Sequence, residues 1–387
     1  MSKLVYFNLY NHVSFGQHSF EHFTSMKTPF FIHIGTWKTG SSTIQYNLHS
    51  VKKLLQKEGI FYLSKGDKMV VDDGIIRGFN QIESDYVRES RVKLSRILDQ
   101  KLTENPSMRF IASAEEFSGD PFRAFANSGW VAKNLFEITK ELNLDIKIIV
   151  YVRRQDDFVE SMYTQSIHLG SSHTFEEFLG GYDQQAFDWY RLIESYSEVF
   201  GKANIIVRSY HKSFLPQPDT IIHQMGEILS SSILKHFEGT NPRNRGLSRD
   251  AIEITRITNR FLAKDDQYVL RNIFQDTNAK QPFESYAYFG PEQRISFLRM
   301  YKELNQRIAH EYLGNTAILF PEPTHEELKA IAYSGLTNEA LALNLSRGLV
   351  TLSKRLNRIE EDMRYEITAT GLRYKIKRRL KKIFGSN

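Results

Sequence analysis

Phe31-Ile-His-Ile-Gly35-Thr-Trp-Lys38-Thr-Gly40-Ser-Ser-Thr43 decides the fold. An apolar stretch runs into a glycine-rich turn, after which Ile44, Leu48, Val51 and Leu55 recur at helical spacing. Strand, turn and helix in that order aim backbone N–H groups and a helix N-terminus at one point, which is how a chain cradles a phosphate. Gly35 and Gly40 have the separation of a nucleoside-triphosphate loop, but Ser41 stands where that loop has lysine. The lysine comes early, as Lys38. The turn is therefore read as an anion site formed by Gly35, Trp37, Lys38, Thr39, Gly40, Ser41, Ser42 and Thr43, with its cation placed differently from that of a nucleotide hydrolase.

Outward from the turn, further strands are expected at Ile60–Leu63, Arg109–Ala114, Ile146–Val152 and Asn204–Arg208. Helices are expected between them, over about 87–103, 130–142 and 185–199. Alternation of this kind predicts an α/β fold, P-loop-like and three-layered, with a mostly parallel central sheet and right-handed crossovers. Ligands of such sheets sit at the carboxyl ends of the strands. Every candidate residue falls there: the turn after Ile34, Glu115 after Ala114, and Arg153 after Val152. Ser248 is positioned to cap a helix carrying Ile252, Ile254, Ile257 and Phe261. The aromatic segment 263–291 has no clear period and reads as a lid or acceptor-facing insertion. A helix is expected at about 291–312, one or two short ones over 325–349, and a charged C-terminal helix or pair beyond. The domain reading is a lead segment 1–28, an α/β domain 29–323, and a helical extension 324–387.

Composition bounds the rest. The 387 residues suffice for a full α/β core. There is no cysteine, which excludes disulfides and thiolate chemistry and fits a reducing compartment. No apolar run approaches the ~20 residues of a membrane span, and the N-terminal stretch does not read as a signal peptide; the expected location is cytoplasmic. The net charge is +6, yet residues 373–382, RYKIKRRLKK, hold seven cations and no acid. The rest of the chain is then near neutral, which argues against a broad nucleic-acid surface. The tail reads as a basic amphipathic helix suited to an anionic membrane surface, at the inner face in a cytoplasmic protein, or to packing on protein.

At the end of the strand Ile146–Val152, Arg153 leads Ser161 by eight positions. A strand-end arginine and a serine two turns into the next helix can face one anion, and the planar guanidinium suits phosphate. The alternative is a surface pairing of Arg153 with Asp156 or Glu160. A magnesium-dependent kinase would want lysine after Gly40 and an acid at the strand end; Asp156 and Asp157 keep that reading open.

With these two motifs the chain resembles sulfotransferases that use 3′-phosphoadenosine 5′-phosphosulfate. Gly35-Thr-Trp-Lys38-Thr-Gly40-Ser-Ser-Thr43 is similar to that family's 5′-phosphosulfate loop, and Val150-Tyr-Val-Arg153 through Ser161 to its 3′-phosphate motif. The resemblance implies that Lys38 contacts the transferring group and that Arg153 and Ser161 hold the 3′-phosphate. Asn241-Pro-Arg-Asn-Arg-Gly246 is similar in part to the family's closing segment, with Arg245, preferred over Arg243, and Gly246 as its residues; the alternative is an ordinary charged loop. The resemblance assigns Glu115, in Ser-Ala-Glu-Glu-Phe, to the general base, and it requires no metal. Bisphosphoadenosine would be the product. Trp130 and His33 are the candidate acceptor contacts beside Glu115, the alternative for His33 being a packed core histidine. Trp37, Tyr163, Tyr182, Phe187 and Trp189 are further aromatic candidates, suiting sugars or phenols equally, the alternative for many of them being the core. The glutamate and the likeness to bacterial glycan sulfotransferases favour a carbohydrate hydroxyl. The competing readings are an ATP-dependent kinase and a non-catalytic adenine-nucleotide-binding protein.

Overall fold

The computed structural model describes residues 27–64, 84–182, 186–217, 219–239, 246–277, 286–314, 317–329 and 333–384, with side chains described up to 364. Its centre is a five-stranded sheet, parallel at every pairing. The strands are β1 (Thr28–His33), β2 (Ile60–Leu63), β3 (Arg109–Ser113), β4 (Leu144–Val152) and β5 (Ile205–Ser209), in the spatial order β2-β3-β1-β4-β5. The chain leaves β1 toward β2 on one side, and β3 returns past it to β4 on the other. Order therefore reverses at β1, where open α/β sheets bind ligands.

Side chains alternate across the sheet with period two. Phe30, Ile32, Phe110, Ala112, Ile148, Val150 and Val152 join one core cluster. That face is covered by α3 (Ser84–Glu104), α4 (Ser128–Thr139), α5 (Gln155–His168) and α7 (Trp189–Phe200). The small α6 (Phe175–Gly180) adds Phe175 and Phe178 to the same cluster. Ile111, Ile149 and Tyr151 point the other way, into a second core. There they meet α1 (Ser41–Ser50), α2 (Lys52–Lys57), α8 (Thr220–Ile228) and α9 (Ser232–Lys235). The architecture is thus α/β, with helices on both faces of a parallel sheet.

Beyond the sheet come α10 (Arg249–Thr258), α11 (Lys264–Thr277), α12 (Pro291–Arg299), α13 (Lys302–Ile308), α14 (His325–Lys329) and α15 (Asn338–Phe384). Ser248 caps α10, accepting from the Ala251 amide at 3.3 Å. Ile252 and Ile254 are buried, but Ile257 is 41% and Phe261 81% exposed, so the apolar face of α10 is shorter than its spacing suggests. Three expectations are corrected. The segment 263–291, in which no period is evident, contains the regular helix α11, and its residues 278–285 lie outside the described ones. The helix expected at 291–312 is interrupted between α12 and α13 at Met300 and Tyr301. The C-terminal region forms one 47-residue helix where a break near 349 was expected. Gly348 lies inside that helix where it passes the body; a Cβ there would sit 3.5 Å from Ile273, an ordinary contact distance. No helix among the described residues is long and apolar enough to cross a membrane.

Candidate active site

The turn after β1 is held from within. The Thr36 amide donates to the Tyr151 carbonyl at 2.8 Å, extending the β1–β4 ladder by a step. The Thr36 carbonyl in turn accepts from Thr39 Oγ1 at 2.6 Å and Ser41 Oγ at 3.0 Å. The Ser41 hydroxyl, a candidate anion donor, thus shapes the loop instead, as does that of Thr39, and both residues are buried. Ser42 and Thr43 remain part-exposed in the first turn of α1. Two glycines are required by their surroundings. Gly35 has φ +96° and lies against Glu115, whose Cα would be 3.2 Å from an added Cβ. Gly40 has φ +81°, and a Cβ there would meet Tyr210 and Ile221 at 2.9 Å. Lys38 also has positive φ, +59°, a conformation uncommon outside glycine.

α1 begins with no side-chain cap and no acid in its first turn. Its leading N–H groups and the positive end of its dipole are left for an anion. Trp37 is half-buried, with no hydrogen-bond partner for its indole Nε1 among the described residues.

Arg153 follows β4 and meets the turn directly, its Nη1 donating to the Lys38 carbonyl at 3.2 Å. The guanidinium carbon lies 5.8 Å from the Tyr210 ring centroid. Trp189 fixes the backbone beneath it, donating from Nε1 to the Arg153 carbonyl at 2.7 Å. The expected alternative pairing with Asp156 or Glu160 is taken by other arginines. Arg154 engages Asp156 through Nε at 2.7 Å and Nη2 at 2.9 Å. Arg294 reaches Asp156 with Nη1 and Glu160 with Nη2, the latter at 2.9 Å. Burial alone would raise the Asp156 carboxyl, but the two arginines hold it below the ordinary carboxylate range. Glu160 also accepts the Tyr288 and Phe289 amides, and burial pushes it up to about 7 against the pull of Arg294.

Lys38 Nζ lies 3.3 Å from Gln165 Oε1 on α5. Ser161, Gln165 and His168 are spaced i, i+4, i+7 and so share one stripe of that helix. The stripe that touches Lys38 is therefore the one carrying Ser161. Burial, with the neighbouring Arg153 next and Arg271 after the opposing Glu115, draws Lys38 down to about 8. Burial and the same two cations, Arg271 and Lys38, draw His168 down to about 3, so its imidazole is neutral at pH 7.

Arg271 was not foreseen. It comes from α11, where Gln267, one turn earlier on the same face, bonds to the Asn259 and Leu262 carbonyls. Gln267 also abuts Gly170, just past the end of α5. Nothing local in the sequence marks Arg271; only the crossing of α11 over the end of α5 sets it beside His168. Gln165 is likewise identified only by its contact.

Glu115 opens a 3₁₀ turn, Glu115–Ser118, at the end of β3, and its charge acts on Lys38 across the β1–β3 boundary. Trp130 is half-buried in the first turn of α4, which packs on that 3₁₀ turn. His33 stands as a packed core histidine. It is fully buried, with Nδ1 2.7 Å from Ser113 Oγ and its ring edge-on to Tyr151, and burial lowers its pKa to about 3. Tyr163, Phe187 and Trp189 are core residues, each 1% exposed, and are removed as acceptor-facing rings. Gly246 is half-buried just ahead of Ser248, whereas Arg243 and Arg245 lie outside the described residues. Among the described residues no group of three or more His, Asp or Glu side chains is arranged to hold a metal.

No family model matches the chain. An uncharacterized protein of Archaeoglobus fulgidus is 27% identical over 183 residues, covering 46% of this chain and 50% of that protein. The chain thus spans about half the length of this curated relative. Among solved structures, a sulfotransferase from Alicyclobacillus acidocaldarius aligns over 60% of this chain and 92% of its own, with 14% identity and a TM-score of 0.34. The sulfotransferase domain from the curacin biosynthetic pathway aligns over 72% of this chain and 97% of its own, with 10% identity and a TM-score of 0.33. Both are weak resemblances of fold.

Proposed function

We propose that the chain transfers a sulfuryl group from 3′-phosphoadenosine 5′-phosphosulfate to a hydroxyl of a carbohydrate or glycan. The observation that carries this reading is the bond from Arg153 Nη1 to the Lys38 carbonyl, 3.2 Å long. It makes the glycine turn and the Arg153–Ser161 segment neighbours, as gripping one nucleotide by both ends requires. The uncapped α1, the two cations and the missing acid in the first turn of α1 suit an anionic donor. Of the two acids that would serve a magnesium-dependent kinase, Asp156 is enclosed by Arg154 and Arg294, and Asp157 lies 3.9 Å from Arg154 Nη2.

The donor supplies a sulfuryl group already attached to a phosphate leaving group. The chain supplies the rest. The α1 N-terminus and the turn amides hold the 5′ end, and Arg153 and Ser161 hold the 3′-phosphate. Glu115 takes the acceptor hydroxyl proton as the new oxygen–sulfur bond forms. Lys38 and the turn amides stabilise the charge gathering on the departing phosphate oxygen as the old bond breaks. The products are a sulfate ester, a protonated Glu115 and bisphosphoadenosine. A basic tail at 373–382 would keep such an enzyme near a lipid-linked acceptor.

Labelled sulfuryl donor offered with a panel of sugars and phenols tests this reading. Glu115→Gln is expected to cut transfer by about 10²–10⁴-fold and to leave bisphosphate binding intact. Phosphoryl transfer from ATP–magnesium by the same protein, with no transfer from the sulfuryl donor, would contradict it.

A further inference from the structure

α15 carries a row of apolar side chains that the body leaves uncovered. Leu345, Leu349, Leu352, Leu356, Ile359 and Met363 are 45, 67, 37, 60, 54 and 52% exposed. Their separations are four, three, four, three and four residues. That is the 3.5-residue repeat of a coiled-coil seam, with Leu349, Leu356 and Met363 at a and Leu345, Leu352 and Ile359 at d. The helix meets its own body on a neighbouring face, where Asn344 is 4% exposed and Gly348 approaches Ile273. Past Gly348 every side chain described is half-buried or exposed. A single straight helix gains nothing from a strict seam; a helix of the same pitch laid along it does.

We propose that α15 pairs with α15 of a second copy of the chain as a parallel, in-register two-stranded coiled coil. The flanking charges favour a copy of itself. In that arrangement a g residue faces the e residue of the partner's next heptad. The g residue Arg355 then meets Glu360 of the second copy, and the reverse pair forms by symmetry. Charge alone does not select against an anionic membrane, since Arg347, Lys354, Arg355, Arg358 and Arg364 outnumber Glu360, Glu361 and Asp362 over the same stretch; the strict 3.5-residue seam and the Arg355–Glu360 register favour a second helix. Leu343 and Val350 lie off the seam and are not part of it. The dimer places two sheet domains at one end of the coil and two basic tails at the other. The inference is independent of the sulfuryl-transfer reading.

Sedimentation of the full chain from nanomolar to tens of micromolar concentration tests it. The expected species has twice the chain mass of 45.1 kDa. Leu349→Glu with Leu356→Glu, both at exposed positions, should yield monomers with the fold intact by near-ultraviolet dichroism. Because the chain lacks cysteine, Leu352→Cys installs a single thiol. Oxidation should link two copies through it, and far less through Lys354→Cys on the outer face. Arg355→Glu should weaken the dimer at least tenfold, and adding Glu360→Arg should restore it. A wild-type monomer throughout the range would overturn the proposal. So would a dimer unaffected by the double glutamate variant, or a variant that loses vesicle binding while the wild type is monomeric.

Discussion

Lys38→Ala is expected to lower turnover by about 10²–10³-fold, the range for removing one preorganised group that stabilises transition-state charge. Affinity for bisphosphoadenosine should change only a few-fold. The reason lies in what Lys38 touches. Its Nζ is held 3.3 Å from Gln165, its neighbours are Arg153, Arg271 and Glu115, and its backbone sits at φ +59°. A cation placed there already repels two others, so removing it relieves repulsion in the resting site and forfeits attraction only when negative charge develops. Equal losses in turnover and affinity would show that Lys38 acts in ground-state binding. The pH profile supplies a second test. Burial, Arg153 and Arg271 bring the Lys38 ammonium down to about 8, so kcat/KM should fall as pH rises through that value. Arg271→Gln removes a positive neighbour, makes the ammonium easier to keep, and should move that limb to higher pH. An unmoved limb would separate Lys38 from the titration.

Arg294→Met is expected to destabilise the fold by about 3–5 kcal/mol, the usual penalty for stripping one partner from a buried ion pair. Arg294 is 1% exposed and serves Asp156 and Glu160, which are 0% and 1% exposed. It ties α12 and the 286–289 segment to α5, the helix that carries Ser161 and Gln165. Without it Asp156 keeps Arg154, whereas Glu160 keeps the Tyr288 and Phe289 amides but loses the Arg294 guanidinium. The deficit should depend on pH in a defined direction. Glu160 titrates near 7 in the folded chain because burial opposes its charge, and losing Arg294 raises it further. A carboxyl raised by folding contributes a penalty that grows as pH climbs from its unfolded value toward its folded one. The variant should therefore lag the wild type more at pH 8 than at pH 5, in denaturant titrations of each. Adding Glu160→Gln should recover part of the loss. A deficit under about 1 kcal/mol at both pH values would mean that the network is solvated and structurally minor.

The sheet was legible because each strand is a compact apolar run bounded by turn residues. Ile60–Leu63 matches its expected bounds, and the other strands shift by one or two residues. The turn was legible because Gly35 and Gly40 sit where positive φ and close neighbours require glycine. What periodicity misses is long-range pairing. Arg154 and Arg153 are adjacent and look alike, yet one is locked in the core and the other meets the turn. Arg294, 138 residues beyond Asp156, joins Arg154 on that acid through a pairing that local spacing does not reveal. Arg271 and Gln165 enter the site through helix crossings that leave no local trace. Hydroxyl direction was also hidden: Thr39 and Ser41 bond inward to Thr36, a geometry no residue count supplies. The seam on α15 is the reverse case, plain in the spacing once one unbroken helix replaces the expected break.

The central claim is that one site holds both ends of an adenosine bisphosphate, with Arg153 at the 3′ end. Calorimetric titration with 3′,5′-bisphosphoadenosine and with adenosine 5′-phosphate, on wild type and Arg153→Ala, tests it most directly. The wild type should prefer the bisphosphate by about 10–100-fold, the scale of one charged hydrogen-bonded contact, and the variant should lose that preference while keeping its affinity for the monophosphate. Equal binding of the two nucleotides by the wild type, or a preference that survives in Arg153→Ala, would contradict it.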